Sequence, residues 1–196
     1  MSNINKYFPD KKGVDKKKLL ISNVGRFSVS FPKEAVKTAE IIKSYLGKNI
    51  TITDGTANNG GNTIAFAQMF NKVNSIEIDE KEYKILQNNI KEYKLENIVT
   101  YNDDFVVKIN TLKQDVIFLD PPWGGKKYKS KKNLKLFLGG KSLLNAINEL
   151  IDKCKMIVCK VPFNYDFSSL FKYNKFTKNI HVYSLDKYII IVLLKN

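Results

Sequence analysis

The six residues Asp120-Pro121-Pro122-Trp123-Gly124-Gly125 form the most specific chemical signal in this sequence, and they follow directly on an apolar run at 115–119. Such a run reads as a buried strand, which places the six at its carboxyl end. A carboxylate and a backbone carbonyl held by paired prolines are two fixed hydrogen-bond acceptors, and the flat side chain after them offers a face to another ring. That set suits an exocyclic amine of a nucleic-acid base. Its lone pair is delocalised into the ring, so it attacks a methyl group only where acceptors stabilise the positive charge growing on nitrogen. Asp120, Pro121 and Trp123 are therefore the expected catalytic group. The plain structural alternative is a rigid turn with a buried tryptophan.

A second cluster would hold the methyl donor. The turn Asp54-Gly55-Thr56-Ala57-Asn58-Asn59-Gly60-Gly61-Asn62 joins a strand to a helix beginning near Thr63. A glycine-rich turn lets backbone approach a ligand closely, but it also serves dinucleotide enzymes and ordinary tight turns. Glu77 adds weight, because a carboxylate roughly 20 residues past such a turn can accept from both ribose hydroxyls of a nucleoside cofactor. Its alternative is a solvated charge at a strand end. Asp79 lies farther out and fits a helix N-cap, while Asp104, with Asp103 as its rival, is the candidate acceptor for an adenine amino group. The expected contacts of S-adenosyl-L-methionine are thus Asp54, Thr56, Asn58, Gly60, Asn62, Thr63, Glu77, Asp104 and Asp120.

These residues need a scaffold that brings strand ends together. Pro32 fits the first turn of a helix over 32–45 that Gly47 ends. Strands are expected at 49–53, 73–78, 99–101, 115–119, 156–161, 180–184 and 188–194, and helices from about 63, at 80–93, at 141–153 and at 168–173. Alternating strands and helices predict an α/β fold with a doubly wound, mostly parallel seven-stranded sheet. The last two strands are joined only by Leu185-Asp186-Lys187, too short for a parallel crossover, so the final strand must run antiparallel. In such sheets ligands bind beyond the carboxyl ends of the strands, where the acidic clusters fall. Residues 1–31 read as an extension packing on a core domain at 32–196.

Composition narrows the partner. Thirty-three Lys and Arg against 19 Asp and Glu give a formal charge of +14, the footprint of a polyanion binder. Only Arg26 is an arginine, which points to some compositional bias toward lysine, although bias toward lysine does not create an excess of base over acid. No apolar run is long enough to span a bilayer, and no secretory h-region follows Met1. With Cys154 and Cys159 as the only cysteines, no disulfide framework or zinc site is indicated, and an intracellular compartment is expected. His181 reads as a packed strand residue, and neither metal nor membrane is needed.

The motifs resemble those of the trimethylguanosine synthase family, the RNA cap guanine-N2 methyltransferases, over nearly the whole chain. The resemblance is carried by Asp54 with Gly60-Gly61-Asn62-Thr63-Ile64-Ala65-Phe66-Ala67, by Ile76-Glu77-Ile78-Asp79, by Asp104-Phe105, and by Pro121-Pro122-Trp123-Gly124-Gly125 with Tyr128. Upstream, Lys6-Tyr7-Phe8 and Gly25-Arg26-Phe27-Ser28-Val29 are similar to the family's segment before its catalytic core. The resemblance implies a Rossmann-like methyltransferase, a 7-methylguanosine-capped RNA as partner, and stacking of the 7-methylguanine on Trp123. Phe27, Lys6, Lys126 and Tyr128 join Trp123 as expected substrate contacts, with Lys127 and Lys129 also near the cap triphosphate. A solvated basic loop is the alternative for those lysines.

Two departures stand out. Asn58 occupies a place where the family usually has Gly, and Asn tolerates a left-handed backbone next best. Asp120 stands where many members have Ser, and Asp here is the habit of adenine-N6 methyltransferases. An internal-base adenine-N6 or ribosomal guanine-N2 methyltransferase is therefore the competing enzyme, and a catalytically silent RNA-binding subunit the competing class. A monomer is expected, cytoplasmic if the source is viral, with nucleus and cytoplasm otherwise not distinguished.

Overall fold

Val116, Ile117, Phe118 and Leu119 are all buried, as a strand covered on both faces requires, and each neighbouring strand shows the same logic to its own degree. A computed structural model describes residues 4–173, 175 and 179–195, without the side chains of Asn5 and Lys126. In chain order the elements are α1 (Gly25–Ser28), α2 (Pro32–Leu46), β1 (Thr51–Asp54), α3 (Gly61–Ala67), β2 (Lys72–Glu77), α4 (Glu80–Tyr93), β3 (Ile98–Asn102), α5 (Phe105–Lys108) and β4 (Val116–Leu119). They continue with β5 (Phe137–Leu138), β6 (Lys141–Ser142), α6 (Leu143–Glu149), β7 (Met156–Val161), α7 (Phe167–Tyr173), β8 (Ile180–Ser184) and β9 (Ile189–Leu194). The seven-stranded sheet has the order β3-β2-β1-β4-β7-β9-β8, with β9 antiparallel to both β7 and β8. Two compact units divide the chain at Phe105/Val106, so the N-terminal 31 residues fall within the first unit.

In the first unit, β2 pairs parallel with β1 and β3. Helix α4 buries Glu82, Leu86, Asn89, Ile90 and Tyr93, a single stripe at helical spacing. Two members of that stripe are polar because the N-terminal segment lies on them. Asn89 exchanges hydrogen bonds with the Leu20 backbone at 2.8 and 2.9 Å and donates to the Asn59 carbonyl, while Glu82 accepts from Ser22 Oγ at 2.7 Å and from Asn59 Nδ2. Apolar contacts complete the seam: Tyr7, Phe8, Leu19 and Val29 cluster with Ile64 and Tyr93. The Tyr93 hydroxyl donates to the Pro9 carbonyl, and burial holds its pKa well above the ordinary tyrosine value.

In the second unit, β4 pairs parallel with β7, and β9 pairs along the whole of β7 from Met156↔Leu194 to Val161↔Ile189. A small antiparallel hairpin of β5 and β6 precedes α6, turned by Gly139 and Gly140 at φ 54° and 75°. This hairpin corrects the expected helix at 141–153. Lys141 belongs to β6, the Ser142 side chain caps the helix by accepting from Asn145 N–H, and the helix ends at Glu149. The strand-end Asp54 also proves to be part of β1.

Candidate active site

The glycine turn of the first unit is built around two acids that its own backbone already uses. Asp54 is fully buried; it accepts from Thr63 Oγ1 at 2.7 Å and from Thr56 N–H at 3.3 Å, and Thr63 in turn reaches Ser75 Oγ at 2.8 Å. These bonds tie the end of β1 to the first turn of α3. Gly60 caps α3 at φ 97°, and Asn58 takes the other left-handed position at φ 47°, as a residue of its type can. Gly61 allows the N-terminal segment to approach: a Cβ there would lie 2.5 Å from Val29 Cγ2 and 2.9 Å from the Ser30 carbonyl.

Glu77 closes the turn from the end of β2. One of its oxygens accepts from Asn58 N–H at 2.7 Å and the other from Asp79 N–H at 2.9 Å. Burial pushes the Glu77 pKa above the ordinary glutamate value, partly offset by those two bonds. Asp79 is the N-cap of α4, accepting from Lys81 and Glu82 N–H. Ile78, between Glu77 and Asp79 in the chain, is 67% exposed. Asp103 donates its N–H to the Glu77 carbonyl and accepts from Asp104 N–H through its side chain, so Asp103 works as a local cap and Asp104 follows it at the end of β3. Two buried amide oxygens, Asn58 Oδ1 and Asn62 Oδ1, have no hydrogen-bond partner among the described residues. Buried acceptors of this kind call for a donor from outside the chain, a water or a ligand.

In the second unit the Pro-Pro-Trp loop leaves β4 through Asp120, whose Oδ2 accepts from Lys160 Nζ at 2.8 Å. Both side chains are nearly enclosed, at 13% and 7% exposure. The Lys160 ammonium also lies 4.8 Å from the Tyr188 ring centroid and 5.4 Å from that of Trp123. Tyr128 meets Trp123 edge to face at 5.1 Å, and Asn164 Nδ2 holds the loop beyond it by donating to the carbonyls of Tyr128 and Lys131, each at 2.7 Å. Gly124 and Gly125, at φ 90° and 65°, make the reversal after the tryptophan. Trp123 Nε1 is buried without an acceptor among the described residues.

Thus the structure gathers Asp54, Thr56, Asn58, Gly60, Asn62, Thr63 and Glu77 around one turn, and Asp120, Trp123 and Tyr128 around one loop. Phe27 is 75% exposed on α1, and Lys6 is exposed with its ammonium 4.9 Å from the Tyr7 ring centroid. The Lys126 side chain lies outside the described residues. His181 sits on β8 as expected but is exposed, because β8 is an edge strand with a neighbour on one side only. Cys154 and Cys159 are buried free thiols; burial pushes the Cys154 pKa up to about 12. Among the described residues no group of His, Cys, Asp and Glu could hold a metal, and no helix is long and apolar enough to cross a membrane. Sequence reasoning missed Lys160. The signal was a single charge inside the apolar strand Met156–Val161.

A doubly wound sheet with an antiparallel β9, a glycine turn after β1 and an acid ending β2 defines the Rossmann-like methyltransferase fold. The 16S rRNA N2 G1207 methyltransferase of T. thermophilus, solved with AdoMet and guanosine, shares it at TM-score 0.66 and 15% identity, over 86% of this chain and 44% of that one. The family model described as RNA cap guanine-N2 methyltransferase matches residues 49–193, and the chain belongs to that family. It is 40% identical over 153 residues to the uncharacterized protein L320 of Acanthamoeba polyphaga mimivirus, covering 76% of this chain and 59% of that protein. It is 30% identical over 112 residues to the trimethylguanosine synthase of Schizosaccharomyces pombe, covering 54% of this chain and 46% of that protein. The chain therefore spans about half the length of these curated relatives.

Proposed function

We propose that this protein transfers a methyl group from S-adenosyl-L-methionine to the exocyclic N2 amine of guanine in a 7-methylguanosine RNA cap, giving dimethyl- and trimethylguanosine caps. The observation that carries the reading is the loop after β4, where an enclosed Asp120 carboxylate precedes two prolines and a tryptophan whose ring is braced by Tyr128. Asp120 and the Pro121 carbonyl accept from the amine and stabilise the positive charge that builds on its nitrogen. Trp123 supplies the stacking face, and a cationic 7-methylguanine ring gains from the electron-rich indole.

The residues of the glycine turn fit the cofactor. Its ammonium, ribose hydroxyls and adenine amine are all donors, and the turn offers acceptors: the unpaired amide oxygens of Asn58 and Asn62 and the Glu77 carboxylate, with exposed Ile78 as an apolar surface for the adenine. When bound, S-adenosylmethionine supplies an electrophilic methyl on sulfur. Asp54 and Thr63 shape the turn, Thr56 and Gly60 complete it through their backbone hydrogen bonds, and Asp104 accepts from the adenine amine. The lysines following Trp123, Lys126 and its neighbours, together with Lys6 and Phe27, complete the cap contact, and the charge of +14 favours the RNA phosphates.

A second reading, methylation of an internal base, is favoured by one observation: Asp at position 120 in place of Ser. The deciding experiment is transfer from labelled S-adenosylmethionine to a 7-methylguanosine cap analogue beside an unmethylated guanosine cap and uncapped RNA. Transfer to the methylated cap alone is expected. Transfer only to uncapped RNA would replace the cap with an internal base, and failure to bind S-adenosylmethionine by calorimetry would favour a silent RNA-binding subunit.

A further inference from the structure

Lys160 is the one residue in β7 that an apolar strand does not explain. The strand runs Met156-Ile157-Val158-Cys159-Lys160-Val161, all six buried, and Lys160 pairs with Ile190 of β9 in the sheet. A lysine in that position loses the water around its ammonium, a cost that is recovered only with a well-placed anion and further favourable neighbours. The structure supplies both: Asp120 Oδ2 at 2.8 Å, and the rings of Tyr188 and Trp123 at 4.8 and 5.4 Å. A methionine or leucine would fill the same space without that cost, so packing alone gives no reason for a charge here. What the charge does is bind together the two functional groups of the loop, the acid and the stacking ring, from a strand locked between two neighbours.

We propose that Lys160 is a positioning residue for the methyl transfer: its ammonium fixes the rotation of the Asp120 carboxylate and the plane of the Trp123 ring, so that acceptor and stacking face are set before a base arrives. This rests on the proposed function, since it assigns Lys160 a role in orienting the same amine. It also accounts for the departure at position 120. An aspartate at this place needs a counter-charge from the neighbouring strand, whereas a serine hydroxyl does not, so Asp120 and Lys160 form one unit that should be kept or lost together.

The experiment is a mutational cycle on the full chain with turnover, cofactor affinity, melting temperature and tryptophan emission as readouts. Lys160→Met should lower kcat at least about tenfold with little change in the affinity for S-adenosylmethionine, and Lys160→Arg should recover part of the loss, because it restores a cation that can reach the carboxylate. Trp123 is the only tryptophan, so its emission reports this loop alone. The emission should change in intensity or wavelength in Lys160→Met and return toward the parent in Lys160→Arg. Lys160→Met should lower the melting temperature of the parent, where it leaves the Asp120 carboxylate without its counter-charge, and raise it in an Asp120→Ser background, where it removes a buried ammonium that has lost that carboxylate. Equal effects of Lys160→Met in both backgrounds, or an unchanged Trp123 emission, would overturn the proposal. Emission and melting need no turnover, so they judge Lys160 even if the parent protein methylates none of the RNAs offered, an outcome that would refute the function instead.

Discussion

The glycine turn of the first unit and the Pro-Pro-Trp loop of the second both end a buried strand with an acid, yet they satisfy that acid in opposite ways. Asp54 and Glu77 accept from backbone N–H groups and, at Asp54, from a hydroxyl. Asp120 is held by a buried ammonium, so the loop acid is neutralised by a full opposite charge. Among the described residues the unsatisfied atoms differ as well: acceptors at Asn58 and Asn62 in the turn, a donor at Trp123 Nε1 in the loop. The turn thus offers acceptors to the donors of a ligand, whereas the loop offers a carboxylate, an aromatic face and an indole N–H. Under the proposed function, lost contacts in the turn should cost affinity and lost contacts in the loop should cost rate.

The largest effect expected is at Asp120. Asp120→Asn keeps the shape and removes the charge, and turnover should fall about 10²–10³-fold, the range for deleting one preorganised charge-stabilising group, with S-adenosylmethionine affinity unchanged. Asp120→Ala should also destabilise the fold by about 3–5 kcal/mol, because it strands a buried ammonium. Steady-state kinetics beside calorimetry and a melting curve separate these. If cofactor affinity fell with turnover, the division between binding turn and reacting loop would be wrong.

Glu77 is the counterpart in the turn. Glu77→Ala should weaken cofactor binding by about 1.5–3 kcal/mol for each hydrogen bond lost to a charged group, and should do so without changing kcat at saturating cofactor. Its titration gives a second handle. The raised Glu77 pKa, caused first by burial, means the folded protein holds this proton more tightly than the unfolded chain, whose value is near 4.5. Its contribution to stability is therefore greatest below that pH and is lost as pH rises through the higher folded value. In the proposed function the ionised form of Glu77 accepts from the ribose, so affinity should move the other way, falling as pH drops through the folded value. Calorimetry across mildly acidic pH, on the parent and on Glu77→Ala, tests this; an equal decline in both would assign the titration elsewhere. Trp123→Ala, in the loop, should cost about 1–3 kcal/mol of cap-analogue affinity, the range for stacking of a base on an aromatic ring. Fluorescence cannot follow that variant, so competition against the labelled analogue is the measurement.

What could be read from sequence tracks the separation of the interacting residues. Asp54 meets Thr56 and Thr63 within the one turn, and Glu77 reaches Asn58 across 19 positions that a strand-turn-helix-strand unit brings back by rule. Helix α4 at Glu80–Tyr93 and strands β7 and β8 follow from periodicity, a capping Asp79 and plain apolar runs. The Asp120–Lys160 pair spans 40 positions, and no local pattern says which residue of a neighbouring strand will face the loop. The polar seam of Ser22, Asn59, Glu82 and Asn89 is hidden for the same reason: Glu82 and Asn89 look like the solvated side of an amphipathic helix until the N-terminal segment covers them. The β5–β6 hairpin carries only half a signal: Gly139-Gly140 follows an apolar run, but β6 is just Lys141-Ser142, and the helix pattern that begins there hides the turn.

The smallest effects concern glycines, and they distinguish the two regions by cause. Gly25, in the segment lying over the turn, would carry a Cβ only 1.8 Å from Asn59 Oδ1, the atom that accepts from Ser22 N–H. Gly25→Ala must push the Asn59 side chain off Ser22 and Glu82, and should cost about 1–3 kcal/mol by overpacking. Gly124, in the loop, has nothing within 4 Å of such a Cβ among the described residues, so a side chain there is opposed by its φ of 90°. Gly124→Ala should therefore cost about 1 kcal/mol, and Gly124→Asn less, since Asn tolerates the left-handed region. Chemical denaturation of the three variants would decide it. A loss at Gly25→Ala no larger than at Gly124→Ala would mean that the N-terminal segment lifts from the turn at little cost, and that the polar seam does not fix the shape of the glycine turn.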